Sequence, residues 1–119
     1  MKKSKILVIS DYDGCFEKLT EFVKLIGTKP VIITGRPPSE ELDTIKELEG
    51  VEYQKLFVYP RDYDNHKFTE QIKMDIATWK GEMVQFLKSN AKLTIFIDDD
   101  LKYWMKVKEM NPDVLCLLI

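Results

Sequence analysis

The sequence predicts a single α/β domain over residues 1–119, a three-layer α/β/α sandwich built on a five-stranded parallel sheet. Short apolar runs bounded by turn residues are typical of buried parallel strands, and here they alternate with segments of helical periodicity. Strands that alternate with helices imply right-handed crossovers, so the helices must cover both faces of the sheet. No internal repeat or linker divides the chain.

The predicted strands share an apolar composition and an end marked by a turn residue, an acid or a proline. They are Ile6–Ile9, Val31–Ile33, Lys55–Tyr59, Leu93–Ile97 and Val114–Leu118. The predicted helices have apolar residues at i, i+3 and i+4 spacing. Their apolar stripes are Leu19–Ile26, Leu42–Leu48, Phe68–Leu87 and Leu101–Met105. Ser39 is predicted to cap the second helix and Asp100 the last, and a break is predicted near Thr78 in the third.

Composition and charge restrict the function classes. A formal charge of −2 argues against a broad nucleic-acid-coating surface, although a local basic track is compatible with it. No apolar stretch approaches the length of a membrane span, and the N-terminal residues lack the features of a secretory signal. Cys15 and Cys116 do not suggest a disulfide framework, so we expect a cytoplasmic protein without a membrane partner.

Acidic residues follow two of the predicted strands. Asp11 and Asp13 come after the first strand, and Asp98, Asp99 and Asp100 come after the fourth. If these strands are neighbours, the carboxylates gather at the sheet edge where open α/β sheets bind ligands. Two like charges about 4 Å apart repel by roughly 4 kcal/mol at an effective dielectric of about 20. Such a cluster needs protons or a hard cation, of which Mg²⁺ is the expected one, although Asp100 is predicted only to cap a helix.

Four segments of the chain, taken in sequence order, resemble the four motifs of the haloacid dehalogenase superfamily of phosphohydrolases. The strand and Asp-x-Asp-Gly of its first motif are similar to Ile6–Gly14, and the strand ending in Thr of its second is similar to Val31–Arg36. The lysine of its third motif is similar to Trp79–Glu82, and the strand and acid pair of its fourth to Thr94–Asp99. The resemblance covers nearly the whole chain and implies a Rossmann-like fold.

The resemblance implies an aspartyl-phosphate mechanism. Asp11 would be the nucleophile, and Asp13 would serve as general acid and then as general base. Lys80 would neutralise charge on the transferring group, although Lys73 competes for this assignment.

The resemblance also implies where phosphate and metal bind. The substrate phosphate is expected at Thr34, Gly35, Arg36 and Lys80, although Thr34 could satisfy only a turn and Arg36 could be only solvated. Mg²⁺ is expected at Asp11, Asp13, Asp98 and Asp99. Asp13 would contact the metal through its backbone carbonyl and not through its carboxylate. Asp99 is the preferred direct ligand, whereas Asp98 is either a ligand or the partner of Lys80.

The segments between the motifs are too short for the cap domain that closes over small substrates in this superfamily. Only the loop 61–67 could form a flap. An open site suits a large phosphorylated substrate, and the motifs resemble polynucleotide 3′-phosphatases, which implies a nucleic-acid end. Tyr59, Tyr63 and Phe68 could stack on bases or be ordinary core or surface aromatics.

Several alternatives remain open at the level of sequence. The substrate could be a small phosphate ester or a phosphoprotein. The chain could also be a receiver-like signalling module or a non-catalytic phosphate-binding module. A receiver is disfavoured because its first acids are adjacent, whereas Asp11 and Asp13 alternate, and because no Asp ends the third predicted strand. Cys15 departs from the family pattern, which commonly has Thr there.

Overall fold

A computed structural model describes residues 4–15, 18, 21, 24–25 and 27–119. The strands within these residues are β1 (Ser4–Asp11), β2 (Val31–Thr34), β3 (Lys55–Val58), β4 (Ala91–Asp98) and β5 (Leu115–Leu118). The α-helices are α1 (Glu41–Glu47), α2 (Glu70–Leu87) and α3 (Leu101–Met110). Short 3-10 turns cover Pro38–Glu40, Asn65–Lys67 and Lys88–Asn90. None of these helices is long and apolar enough to cross a membrane.

The five strands form one parallel sheet in the order β3-β2-β1-β4-β5, which confirms the predicted α/β fold. Successive strands extend from β1 towards β3 on one side, whereas β4 and β5 lie on the other side of β1. The strand order therefore reverses between β1 and β4. Open α/β sheets bind ligands in the crevice outside the carboxyl ends of the strands at such a point. The register, in which Ser10 pairs with Ile97, brings the ends of β1 and β4 side by side.

The sheet is covered on both faces, as its sequence pattern predicts. The larger cluster joins α2 and α3 to one face and contains Leu7, Ile9, Val31, Ile33, Val84, Phe96, Val107 and Val114. The alternate strand residues point to the opposite face, where Ile32 packs with Tyr12 and with Leu48 at the end of α1. Val8, Cys15, Ile95 and Ile97 form a second cluster on that face. Period-two alternation along each strand accounts for this division.

Two details of the second and third predicted helices are wrong. Ser39 does not cap α1, because Pro38 begins a 3-10 turn and the α-helix starts only at Glu41. The backbone N–H of Ser39 instead donates to Asp62. In addition, α2 runs without a break through Thr78.

The predicted apolar stripe of α1 is only partly buried. Leu42 is 75% exposed and Ile45 is 43% exposed, whereas Thr44 and Leu48 are buried four residues apart. The buried side of this short helix is therefore the one that carries Thr44, whose hydroxyl donates to the Glu40 carbonyl. Most of the helix predicted from Leu19–Ile26, including its apolar positions Leu19, Phe22, Val23 and Ile26, lies outside the described residues. The described residues of this range, Glu21, Lys24 and Leu25, are helical.

Candidate functional site

A buried network of three charged side chains lies where the strand order reverses. Asp11 ends β1, Asp98 ends β4, and Lys80 reaches them from α2. Lys80 is fully buried, and its Nζ donates to Asp11 Oδ1 at 2.7 Å and to Asp98 Oδ2 at 3.0 Å. The second carboxylate oxygen of Asp98 accepts the backbone N–H of Asp100 at 2.9 Å. Desolvated charges persist in a fold only when they are paired and hydrogen-bonded in this way.

Burial and mutual interaction shift the ionisation of all three groups. Burial raises the pKa of Asp11 to about 7, an effect that Lys80 opposes and the neighbouring Asp98 carboxylate reinforces. Burial also raises the pKa of Asp98. For Lys80, burial lowers the pKa, but the carboxylates of Asp11 and Asp98 outweigh it and the net shift is upward. Lys80 therefore stays cationic. Any further positive charge near Asp11 would lower the pKa of Asp11 and favour its ionised form.

Four side chains around this network could hold a metal ion. One potential ligand atom from each of Asp11, Cys15, Asp98 and Asp99 lies within 4.8 Å of the others. Asp99 is exposed, whereas the other three are buried. Among the described residues no basic side chain pairs with Asp99 at salt-bridge distance, so its charge is balanced less than those of Asp11 and Asp98.

The turn after β1 makes room for Asp99. Gly14 has φ +80°, and a Cβ at this position would overlap the Asp99 carboxylate. Glycine is therefore favoured here for two reasons: the backbone is left-handed, and the Asp99 carboxylate approaches it closely. The Asp-x-Asp-Gly motif thus shapes the site as well as supplying its acids.

Cys15 lies in the site, although the sequence marked it only as a departure from the family pattern. Its Sγ is buried and donates to Asp99 Oδ1 at 3.9 Å. Burial raises the pKa of this thiol, and the surrounding carboxylates raise it further, so Cys15 carries no charge at neutral pH. Its position four residues after Asp11 was the available signal, but spacing alone does not say which way a side chain points.

Asp13 lies at the rim of the site and not in the buried cluster. Its carboxylate accepts two hydrogen bonds from Arg36, Nε to Oδ2 at 3.1 Å and a terminal nitrogen to Oδ1 at 2.8 Å. The other terminal nitrogen of Arg36 donates to Thr44 and Glu47, and the guanidinium stacks 4.8 Å from the centre of the Tyr12 ring. The hydrogen bond to Asp13 is the largest cause of the raised pKa of Arg36.

The second motif shapes the adjoining wall. The hydroxyl of Thr34 is buried and accepts the backbone N–H of Arg36 at 3.2 Å, so it stabilises the turn after β2. A Cβ on Gly35 would lie 2.9 Å from Ile76 of α2, and the Gly35 carbonyl accepts the Tyr63 hydroxyl at 2.6 Å. The chain therefore passes tightly between α2 and the loop 61–67 at this point.

These elements enclose a cleft of about 520 Å³. Its lining includes Asp11, Asp13, Gly14, Gly35, Arg36, Glu40, Tyr63, Asn65, Lys80, Asp99, Asp100 and Tyr103. The Tyr103 ring covers Lys80, with Nζ 4.3 Å from the ring centre. Lys73, the competing lysine, pairs instead with Asp100 at 2.8 Å. Of these two lysines, only Lys80 forms an ion pair with Asp11.

The aromatic residues of the loop 61–67 and its flanks form a packed row. Tyr59 is buried and meets Trp79 of α2 edge-on, with ring centres 5.7 Å apart. Tyr63 packs between Tyr59 and Phe68, at 6.1 Å and 5.7 Å. Tyr59 is thus a core aromatic, whereas Tyr63 reaches the cleft and anchors the loop beside it.

Comparison with known proteins adds information on the fold. No protein-family profile and no curated protein sequence matches the chain. The similar solved structures include two of the C-terminal domain of PF1911 hydrogenase from Pyrococcus furiosus. The first has a TM-score of 0.66 and 20% identity, covering 99% of this chain and 92% of that chain. The second has a TM-score of 0.64 and 17% identity, covering 100% and 94%. At such low identity the similarity concerns the fold alone.

Proposed function

We propose that this protein is a Mg²⁺-dependent phosphohydrolase of the haloacid dehalogenase type, acting on phosphate monoesters through an aspartyl-phosphate. The observation that carries the proposal is the fully buried Lys80 hydrogen-bonded to both Asp11 and Asp98, next to Asp99 at the ligand-binding edge of the sheet. Burial of three charges in a cleft is costly for a fold, and perturbed ionisable groups in clefts are candidates for chemistry.

The proposed reaction has two displacements at phosphorus. In the first, an Asp11 oxygen forms a bond to phosphorus while the bond from phosphorus to the alcohol oxygen breaks, and Asp13 donates its proton to that oxygen. In the second, water attacks the same phosphorus, Asp13 takes the water's proton, and inorganic phosphate and the Asp11 carboxylate are released. Lys80 stabilises the charge on Asp11 and on the transferring group.

The metal-binding chemistry fits the donor set. Asp11 and Asp99 supply carboxylate oxygens of the kind that Mg²⁺ prefers, while Asp98 is engaged by Lys80 and by a backbone N–H. A bound Mg²⁺ would offset phosphoryl charge and favour the ionised form of Asp11, whose pKa burial otherwise raises to about 7. Cys15 is a soft, uncharged neighbour and is not needed for this ligand set.

Arg36 has a different role in this proposal from simple phosphate binding. Since most of its N–H donors are engaged by Asp13, Thr44 and Glu47, it positions the Asp13 carboxylate at the mouth of the cleft. Substrate phosphate is then contacted by Lys80 and by backbone N–H groups of the turn after Asp11. Thr34 contributes by stabilising the second turn.

A receiver-like module is disfavoured by the sheet order. Receivers of the flavodoxin-like type have the strand order 2-1-3-4-5, in which β3 lies beside β1. Here β4 lies beside β1, and β3 is at the far edge next to β2. The ends of β1 and β4, with Asp11 and Asp98, therefore take the central place that a receiver gives to β1 and β3.

The proposal is tested by hydrolysis of an aryl phosphate with and without Mg²⁺. We expect release of the phenol to need Mg²⁺, to stop on chelation and to fall by at least about a thousandfold in Asp11→Asn. The matched control is Asp113→Asn, an exposed acid outside the cleft, which should keep wild-type activity. Hydrolysis that is independent of Mg²⁺, or full activity in Asp11→Asn, would refute the mechanism.

A further inference from the structure

The charged side chains that line the cleft are mostly acidic. Five of them are carboxylates, from Asp11, Asp13, Glu40, Asp99 and Asp100, and two are basic, from Arg36 and Lys80. A cleft lined by one sign of charge concentrates ions of the opposite sign. The charges available to a substrate are those that are not engaged in pairs within the protein.

Both basic side chains of the lining are engaged internally. Lys80 is bonded to two buried carboxylates and covered by the Tyr103 ring. Arg36 donates four hydrogen bonds, two of them to Asp13 and two to Thr44 and Glu47. With both cations held in this way, an anionic group beyond the transferring phosphoryl group would meet no free basic side chain in the described lining.

Glu40 is in the opposite situation. It is half-buried, and within the described part of the chain its carboxylate has no salt-bridge partner. Its Oε2 accepts a hydrogen bond from Asn65 Nδ2 at 2.9 Å, which holds the carboxylate at the cleft wall beside the loop 61–67. Burial, together with the negative charges of Glu40 and Asp13, raises the pKa of the adjacent Tyr63.

The other acidic residues of the lining form two groups. In the proposed function, Asp11 and Asp99 act with the divalent cation and the phosphoryl group, and Asp100 is paired with Lys73. Elsewhere in the lining, Asp13 and Arg36 form with Glu47 a group that has two carboxylates for one guanidinium, and Glu40 adds a third carboxylate. This part of the lining is thus negative. Because Asp13 protonates the leaving oxygen in the proposed reaction, the alcohol portion of a substrate would lie beside it.

We infer, on the basis of the proposed function, that the substrate is a phosphate monoester whose alcohol portion carries an ammonium or guanidinium group, and that Glu40 binds this group. The cleft volume of about 520 Å³ is within the range of small-molecule sites, so a small ester fits it. A nucleic-acid end is the competing substrate. Nucleic acids are held through contacts of Lys and Arg to the phosphate backbone, and the lining offers no free residue of this type among those described.

The inference is tested with matched pairs of esters that differ in one terminal group. The pairs are 2-aminoethyl and 2-hydroxyethyl phosphate, and 4-aminobutyl and 4-hydroxybutyl phosphate, assayed with Mg²⁺. We expect the amine to have about a threefold to tenfold higher kcat/KM in at least one pair at low salt, with the advantage shrinking as salt rises. A 3′-phosphorylated oligonucleotide should be a poorer substrate than that amine.

Glu40→Gln keeps an acceptor for Asn65 but removes the charge, so it should abolish the amine preference within each pair. Glu109→Gln removes a charge of the same kind from the exposed face of α3, outside the cleft, and should keep the preference. Equal kcat/KM within both pairs, an unchanged preference in Glu40→Gln, or a better oligonucleotide substrate would overturn the inference while aryl phosphate hydrolysis still upholds the proposed function. If no ester is cleaved, including the aryl phosphate, the proposed function fails and the inference falls with it.

Discussion

Lys80 is the residue on which the buried charge network depends. It neutralises Asp11 and Asp98 at once, and both carboxylates would otherwise be desolvated without a cation. Removing one partner of a buried ion pair is far more destabilising than the net contribution of the pair, because an uncompensated charge remains inside the protein.

We therefore predict that Lys80→Met lowers the free energy of unfolding by about 3 kcal/mol at pH 7. Lys73→Met is the matched control on the same helix, since Lys73 pairs with Asp100 where both side chains are partly exposed. It should cost at most about 1 kcal/mol. Urea unfolding of both variants without divalent cations measures the difference, and equal losses would contradict the buried-network interpretation.

The sequence identified the acids of the site better than their partners. Asp11, Asp98 and Asp99 could be placed together because they end or directly follow strands of a parallel sheet, and strand ends share one edge. The bidentate pair of Asp13 with Arg36 could not be foreseen, because it depends on the rotamers of two side chains on separate loops. The burial of the Cys15 side chain in the site could not be predicted for the same reason.

At the scale of elements, the turn after β1 brings a backbone with positive φ against a charged side chain from the turn after β4. The carboxylate of Asp99 occupies the space that a Cβ on Gly14 would need. The two turns therefore pack closely, and the position of the Asp99 carboxylate depends on the absence of a Cβ at Gly14.

We predict that Gly14→Ala displaces Asp99 and weakens the binding of Mg²⁺ by at least about tenfold, besides straining the backbone. Gly50→Ala separates these effects, because Gly50 has φ +81° but a Cβ there would meet no atom of the described residues within 4 Å. Both variants should lose about 1 kcal/mol of stability from the left-handed backbone. Titration with Mg²⁺ should then show weakened binding in Gly14→Ala alone, and equal affinities would separate Asp99 from the metal site.

The elements themselves were predicted with uneven success. All five strands occur where short apolar runs indicated them, since a buried parallel strand leaves a plain sequence signal. The start of α1 was misplaced because Ser39 has the chemistry of a cap, whereas the preceding prolines direct the chain into a 3-10 turn. The buried side of α1 was also missed, because Thr44 is polar and Leu42 is exposed.

At the scale of the whole molecule, the strand order determines which strand ends become neighbours. The order β3-β2-β1-β4-β5 places the end of β4 beside that of β1, so residues far apart in sequence form one site. Alternating strands and helices predict a parallel sheet but not the order of its strands. The order became known only from the structure, and it differs from the 2-1-3-4-5 order of flavodoxin-like receivers.

The most direct test of the central claim is to trap the phosphorylated protein. In Asp13→Asn, Asp11 should still attack the phosphorus of an aryl phosphate, because a phenolate leaves without help from a general acid. The phosphorylated variant should then react slowly with water, because it lacks the general base. After rapid denaturation in acid, peptide mass spectrometry should then find one phosphoryl group on Asp11, formed only with Mg²⁺ and absent from Asp11→Asn. Release of phosphate at the wild-type rate by Asp13→Asn, or turnover with no phosphoryl group on Asp11, would contradict the proposed mechanism.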